Sequence, residues 1–224
     1  MSNTVIIGFA GSCKSDIILY LSRILHVSGE RTAIIDRSDN CELVYSVPYE
    51  NGSSCLIEYR GVDVYLGFGN VSVENLPVND YSAVLVDLGT NPHTYGDIGL
   101  LKVLIIVTDL NRHHIIPLSS WLGNLPVRPD AVQIIRDTVY GKIRAEYIES
   151  LLRTRHFTNL IASYELPFDE KEYSARLLTQ YDDVFKFSRI PKEYKAMLTD
   201  IISEVFEKQR RDVRKALKKA QQGG

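Results

Sequence analysis

The residues of greatest chemical interest are Gly8-Phe9-Ala10-Gly11-Ser12-Cys13-Lys14-Ser15, which follow the apolar run Thr4–Ile7 and precede a helical pattern. They follow the phosphate-binding pattern G-x-x-x-x-G-K-[ST] at Gly8, Lys14 and Ser15, with Cys13 standing where the last glycine belongs. In that pattern successive backbone N–H groups at a helix N-terminus cradle phosphate oxygens. The lysine ammonium neutralises their charge and the following hydroxyl holds Mg²⁺. Gly11, Ser12, Cys13, Ser15 and Asp16 are therefore candidate contacts beside Gly8 and Lys14, with Ser15 as a metal ligand. A Cβ at Cys13 costs roughly 1–2 kcal/mol if the backbone must adopt positive φ, so the cradle is expected to be strained or reshaped.

Two carboxylates complete the set. Asp36 closes the apolar run Thr32–Ile35, and Asp87 closes Ala83–Val86. An acid at the C-terminal end of a parallel strand faces the phosphate loop across the crevice and can bind Mg²⁺ directly or through water, which makes Asp87 the second metal candidate. The bland alternative is a solvated strand-end aspartate.

These residues need strands and a helix to hold them. Short β-rich runs at Thr4–Ile7, Thr32–Ile35, Val62–Leu66, Ala83–Val86, Val103–Val107, Ala131–Ile135 and Asn159–Ser163 alternate with helical periodicity. That alternation predicts an α/β fold: a mainly parallel, twisted sheet with helices on both faces. Ile17, Ile18, Leu21, Ile24 and Leu25 share one face of a helix over Ser15–Val27. Between Cys41 and Gly69 an edge hairpin is expected, with its turn at Glu50-Asn51-Gly52-Ser53. Pro191 opens a C-terminal helical stretch.

With 224 residues, 45% of them hydrophobic, the chain suits one large domain, read as residues 1–206 followed by a basic helical tail over 207–224. A net charge of −2 gives no global attraction to nucleic acid or anionic membrane. Cys13, Cys41 and Cys55 have neither disulfide-framework nor metal-ligand spacing, which fits a reducing cytoplasm, and no apolar run approaches a membrane span. A helix N-terminus beside Lys14 would lower the Cys13 thiol pKa, leaving a redox role as a minor alternative. His113-His114 lacks an acidic or cysteine partner at ligand spacing, so no metal is placed there. No catalytic residue is assigned: there is no nucleophile-elbow motif, and Trp121 with Leu118 and Leu122 reads as helix packing.

The tail is locally basic. Lys208, Arg210, Arg211, Arg214, Lys215, Lys218 and Lys219 crowd together opposed by Asp212 alone, while Phe206, Val213 and Leu217 can share one helical side. Contact with an anionic membrane or nucleic acid through Lys208 to Lys219 stands against a solvated helix end whose cations suit the dipole.

Taken together, the phosphate loop, the run Gly29–Asp36, the strand Tyr81–Asp87 and the late loop Leu166-Pro167-Phe168-Asp169 resemble the MinD/ParA family of P-loop ATPases over nearly the whole chain, with a narrower similarity to its TadZ/CpaE-like branch. The resemblance implies binding of ATP or ADP with Mg²⁺, a dimer, and a localisation or assembly role. The narrower branch implies service to pilus or secretion machinery, at the membrane periphery or cell pole. It further implies that Pro167 lies in the loop closing over the base and that Arg136 stands where the family reads adenine with asparagine. Departures accompany the matches: Phe9 replaces the family's signature lysine and Ser38 replaces an aspartate that organises the attacking water.

Losing groups that act by positioning and charge predicts little or no hydrolysis, hence a scaffold or slow nucleotide switch. The alternatives are an active P-loop enzyme, as an ATPase or a kinase or ligase similar to dethiobiotin synthetase, and a DNA- or membrane-associated partitioning protein. Whether Lys14 still holds a phosphate is left open by the residues themselves.

Overall fold

A computed structural model describes residues 4–49, 55–182 and 187–222. Its eight strands are β1 (Val5–Gly11), β2 (Thr32–Asp36), β3 (Leu56–Tyr59), β4 (Val62–Tyr65), β5 (Ala83–Gly89), β6 (Val103–Thr108), β7 (Asp130–Thr138) and β8 (Asn159–Pro167). They form one sheet in the order β3-β4-β2-β5-β1-β6-β7-β8. Every neighbouring pair is parallel except β3–β4. The expected α/β architecture is present.

The helices are α1 (Ser15–Val27), α2 (Arg112–Leu122), α3 (Ala145–Leu152), the single turn α4 (Thr154–Phe157), α5 (Glu170–Asp182), α6 (Lys192–Val205) and α7 (Arg210–Gln222). Two-residue alternation in the strands feeds two cores. On β1, Ile7 and Phe9 join the layer under α1, α6 and α7, whereas Ile6 and Ala10 join the layer holding Ile115, Leu118, Trp121 and Leu122 of α2. Trp121 packs as expected, its ring nitrogen donating to the Asn91 carbonyl.

Three differences from the sequence expectation matter. The edge hairpin exists, but its turn is Arg60-Gly61, both at positive φ (53° and 81°), the conformation that lets a two-residue turn follow strand twist. The turn expected at Glu50–Ser53 lies outside the described residues. Several strands also run past their expected ends, β1 by four residues to Gly11 and β7 by three to Thr138.

The third difference concerns the tail. Helix α7 buries Val213, Ala216, Leu217 and Ala220 in the core beside α1 and α6. Its apolar side is thus used in folding, which removes it as a membrane-inserting face. Arg210, Arg211, Arg214, Lys215, Lys218 and Lys219 remain exposed, and Lys208 pairs with Glu30 at 2.6 Å.

Candidate phosphate-loop site

The sheet reverses its winding at β1, which lies between β5 and β6, and the crevice beyond the strand ends is where such folds bind ligands. A cleft of about 920 Å³ opens there. Its walls include Cys13 from the β1–α1 turn, Ser15 and Asp16 from the start of α1, Asp109 after β6, Asp137 of β7, and Phe168, Tyr173, Arg176 and Leu177 from the β8–α5 region.

The turn itself is short. Strand β1 stays in register with β6 through Gly8–Leu104, Phe9–Ile105, Ala10–Ile106 and Gly11–Val107. Ser12 N–H then donates to the Val107 carbonyl at 3.2 Å. Only Ser12, Cys13 and Lys14 lie between β1 and α1. Gly11 is required because its φ is +99° and a Cβ would overlap the Val107 carbonyl oxygen. Gly8 has a different reason: a Cβ there would press on Leu101 and Leu88 side chains, so its smallness serves packing. Cys13 adopts φ 58°, the left-handed conformation that the missing glycine would have eased.

Lys14 is fully buried, its Nζ 2.9 Å from Asp87 Oδ1 and 3.8 Å from Glu42 Oε2. Burial alone would lower its pKa, but the Asp87 and Glu42 charges outweigh that and raise it. Asp36 lies opposite Asp87 in the β2–β5 register, and its Oδ1 accepts from Ser38 N and Oγ at 3.0 and 2.6 Å. One ammonium thus serves three carboxylates. Burial, with the Asp36 charge adding to it, pushes Asp87 up to about 7 against the pull of Lys14. Asp36 is raised too, chiefly by burial. Lys14 Nζ, Asp36 Oδ2 and Asp87 Oδ2 lack aligned hydrogen-bond partners.

On the other side of β1, Arg136 is buried and answers its neighbours closely. Its Nη1 donates to the Cys13 carbonyl at 2.6 Å and to Asp16 Oδ1 at 2.7 Å. Its Nη2 donates to Asp16 Oδ2 at 3.0 Å and Glu172 Oε1 at 3.2 Å. Tyr194 Oη adds a donor to Asp16 Oδ2 at 2.8 Å. Burial opposes charge on Asp16, but the Arg136 guanidinium wins and holds its carboxyl below the usual range. Glu172 is pushed up to about 7 by burial and by the Asp16 charge. Pro167 lies at the end of β8, lining a smaller pocket of about 140 Å³ with Arg136 and Tyr194.

The expected site residues from Gly11 onward therefore meet at one end of the sheet, divided into two charge clusters, while Gly8 lies inside β1. Sequence reasoning missed Glu42, Asp109, Glu172, Arg176, Tyr194 and His114. Asp109 alone had a readable signal, since it follows β6 just as Asp36 and Asp87 close their strands.

Two expectations are corrected. Folding brings His114 Nδ1 to 2.9 Å from Asp109 Oδ1, and Cys13 Sγ to 3.9 Å from Asp109 Oδ2, partners that the linear spacing concealed. The Cys13 thiol is pushed up to about 12 by burial and by Asp109, so the helix terminus and Lys14 do not activate it.

The loop stands closed relative to the path it would take around a triphosphate. The residues that would wrap it continue β1, Ser12 N–H is engaged, and Lys14 is matched by protein carboxylates. The cleft wall presents Asp16, Glu42, Asp109 and Asp137, with Asp16 paired to Arg136 and Asp137 to Arg176. Ser15 and Asp87 survive as oxygen donors of the kind Mg²⁺ accepts.

The sequence matches no protein-family model and no curated protein. Solved structures are similar across almost the full length. A ParA family ATPase from Chlorobium tepidum aligns with 13% identity over 98% of each chain, at a TM-score of 0.59. MinD of the MinC:MinD cell division complex from Aquifex aeolicus aligns with 12% identity over 92% of this chain and 97% of that one, at 0.64. An ATP complex of Cyanothece McdA aligns with 10% identity over 93% and 99%, at 0.59. The chain has the fold of the MinD/ParA P-loop ATPases.

Proposed function

We propose that this chain is a localisation or assembly factor built on the MinD/ParA fold, acting through protein contact with little or no ATP hydrolysis. The observation that carries this reading is the closure of the phosphate loop by the protein's own charges: Lys14 on Asp87, and Arg136 on Asp16. Phosphoryl transfer depends on positively charged groups aimed at the transferring phosphate, and here both buried cations are already committed to carboxylates. The active-enzyme alternative loses support for the same reason.

An output through contact is favoured by the rim of the cleft. Val139, Phe168, Tyr173 and Leu177 line the cleft and are exposed, and Tyr140, next to Val139 in the chain, is fully exposed. Aromatic side chains of this kind anchor protein interfaces. A second copy of the chain and the components of a larger assembly, of the pilus or secretion type suggested by the narrower resemblance, are the partners we propose. The exposed basic face of α7 would supply electrostatic attraction at an anionic membrane or nucleic acid. No helix among the described residues is long and apolar enough to cross a membrane.

Steady-state phosphate release with Mg-ATP tests the central claim, in parallel with sedimentation of wild type and of Tyr140→Ser/Phe168→Ser. The expected outcome is turnover at least about 100-fold below a typical enzyme rate of about 1 s⁻¹, with self-association weakened by the rim variant. Turnover near that typical rate, lost in Lys14→Ala, would overturn the reading.

A further inference from the structure

The glycine replaced by Cys13 has left a thiol in a defined place. Cys13 Sγ, Asp109 and His114 bring one donor atom each within 4.8 Å of one another. The sulfur lies 3.9 Å from Asp109 Oδ2, and His114 Nδ1 lies 2.9 Å from Asp109 Oδ1. Bonds of about 2.0–2.1 Å from nitrogen and oxygen and about 2.3 Å from sulfur separate neighbouring ligands of a tetrahedral ion by roughly 3–4 Å. The Cys13–Asp109 and His114–Asp109 distances are close to that separation, and with all three donors within 4.8 Å a small closing movement completes the set.

Each donor is also fixed by its own support. The Cys13 carbonyl is held by Arg136 at 2.6 Å, which sets the left-handed turn that carries the thiol. Asp109 accepts from Asn111 N at 2.8 Å and Asn111 Nδ2 at 2.5 Å, so its carboxylate cannot swing freely. His114 belongs to the first turn of α2, anchored by Ile115 and Leu118 in the core. Three ligands on three rigid anchors form a preorganised set.

We propose that Cys13, Asp109 and His114 bind a thiophilic divalent cation of the zinc class, with a fourth coordination position facing the cleft. The donor set decides the class. Thiolate and imidazole suit zinc or cobalt(II), whereas Mg²⁺ seeks oxygen donors in octahedral array. Cys13 and Asp109 both line the cleft, so the remaining position of a three-ligand site opens to water or to a donor from a bound partner. Binding replaces the thiol proton by the metal–sulfur bond, the proton passes to solvent, and no oxidation state changes. The ion would pin the β1–α1 turn to the start of α2, independently of any nucleotide.

Optical titration of the chelator-treated, untagged full chain with Co²⁺, under a phosphine reductant, tests this. A sulfur-to-cobalt charge-transfer band should saturate at a single equivalent and be bleached by Zn²⁺ but not by excess Mg²⁺. Cys13→Ser should abolish the band, and His114→Ala should weaken binding about tenfold or more. Cys41→Ser and Cys55→Ser should leave it intact, with circular dichroism confirming that every variant is folded. Absence of the band in wild type, or its persistence in folded Cys13→Ser, overturns the site.

Discussion

The two sides of β1 handle buried charge differently. Toward β5 and β2, Lys14 faces Asp87, Asp36 and Glu42, and the ammonium and two carboxylate oxygens are left without aligned partners. Toward β6 and β7, Arg136 meets Asp16 through a paired two-nitrogen, two-oxygen contact, with Glu172 and Tyr194 completing the shell. The first cluster carries an excess of negative charge and unmet hydrogen-bonding capacity. The second pairs both terminal nitrogens of Arg136 and leaves only Nε without a hydrogen-bond partner. An unsaturated cluster keeps capacity for a further partner, whereas a bidentate, well-paired one acts as a structural brace.

The brace should yield the largest effect. Arg136→Met removes the cation from two buried carboxylates, and breaking a buried pair on one side costs about 3–5 kcal/mol. Urea denaturation should show that loss at neutral pH. Adding Asp16→Leu to Arg136→Met should restore much of it, because the uncompensated carboxylate next to the Cys13 turn is then gone. A loss below about 1 kcal/mol for the single variant would mean that Arg136 does not brace the turn and that the contrast between the two sides is false.

How far this contrast was legible in the sequence depends on the range of the interaction. The succession of strands and helices along the chain, the α1 register and the placing of Asp36 and Asp87 toward the C-terminal ends of their strands follow from local apolar periodicity, so they could be read directly. Arg136 was noticed only as an odd residue in a base-reading position, because its partner Asp16 lies 120 residues away. Glu172, Tyr194 and His114 sit on helices whose polar positions look alike in sequence, and only folding selects which of them faces the site. The extension of β1 through Gly11 was hidden for a different reason. Gly8-Phe9-Ala10-Gly11 has the composition of a loop, but Phe9 and Ala10 are fully buried, one in each core layer, and that tertiary burial overrides the glycines.

The excess of carboxylate beside Lys14 sets a pH dependence of intermediate size. Folded Asp87 keeps its proton up to about 7, whereas its ordinary value is 3.8. Between those values the folded state binds more protons than the unfolded chain, so this group's contribution to stability falls as pH rises through that window. Asp87→Asn removes the proton uptake. Its stability relative to wild type should therefore improve by about 1–3 kcal/mol from pH 4 to pH 7. Glu172, also raised to about 7, contributes the same slope to both proteins and cancels in the difference. A relative stability that is flat with pH, or that falls, would mean that Lys14 fully neutralises Asp87 and that the two sides of β1 are alike.

The smallest effect belongs to the residue that breaks the motif. At φ 58°, Cys13 bears a Cβ penalty of roughly 1–2 kcal/mol, partly offset in Cys13→Gly by the roughly 0.5–1 kcal/mol that glycine loses in unfolded-state entropy. Measured in metal-free buffer, the variant should gain no more than about 1 kcal/mol. Its ATP turnover should stay as low as that of wild type, because β1 remains paired to β6 through Gly11 and Ser12 N–H remains on Val107. Appearance of hydrolysis in Cys13→Gly would break the comparison most instructively. It would mean that the Lys14 side is a working phosphate site held shut by a single Cβ, and that Lys14 can exchange Asp87 for a phosphate.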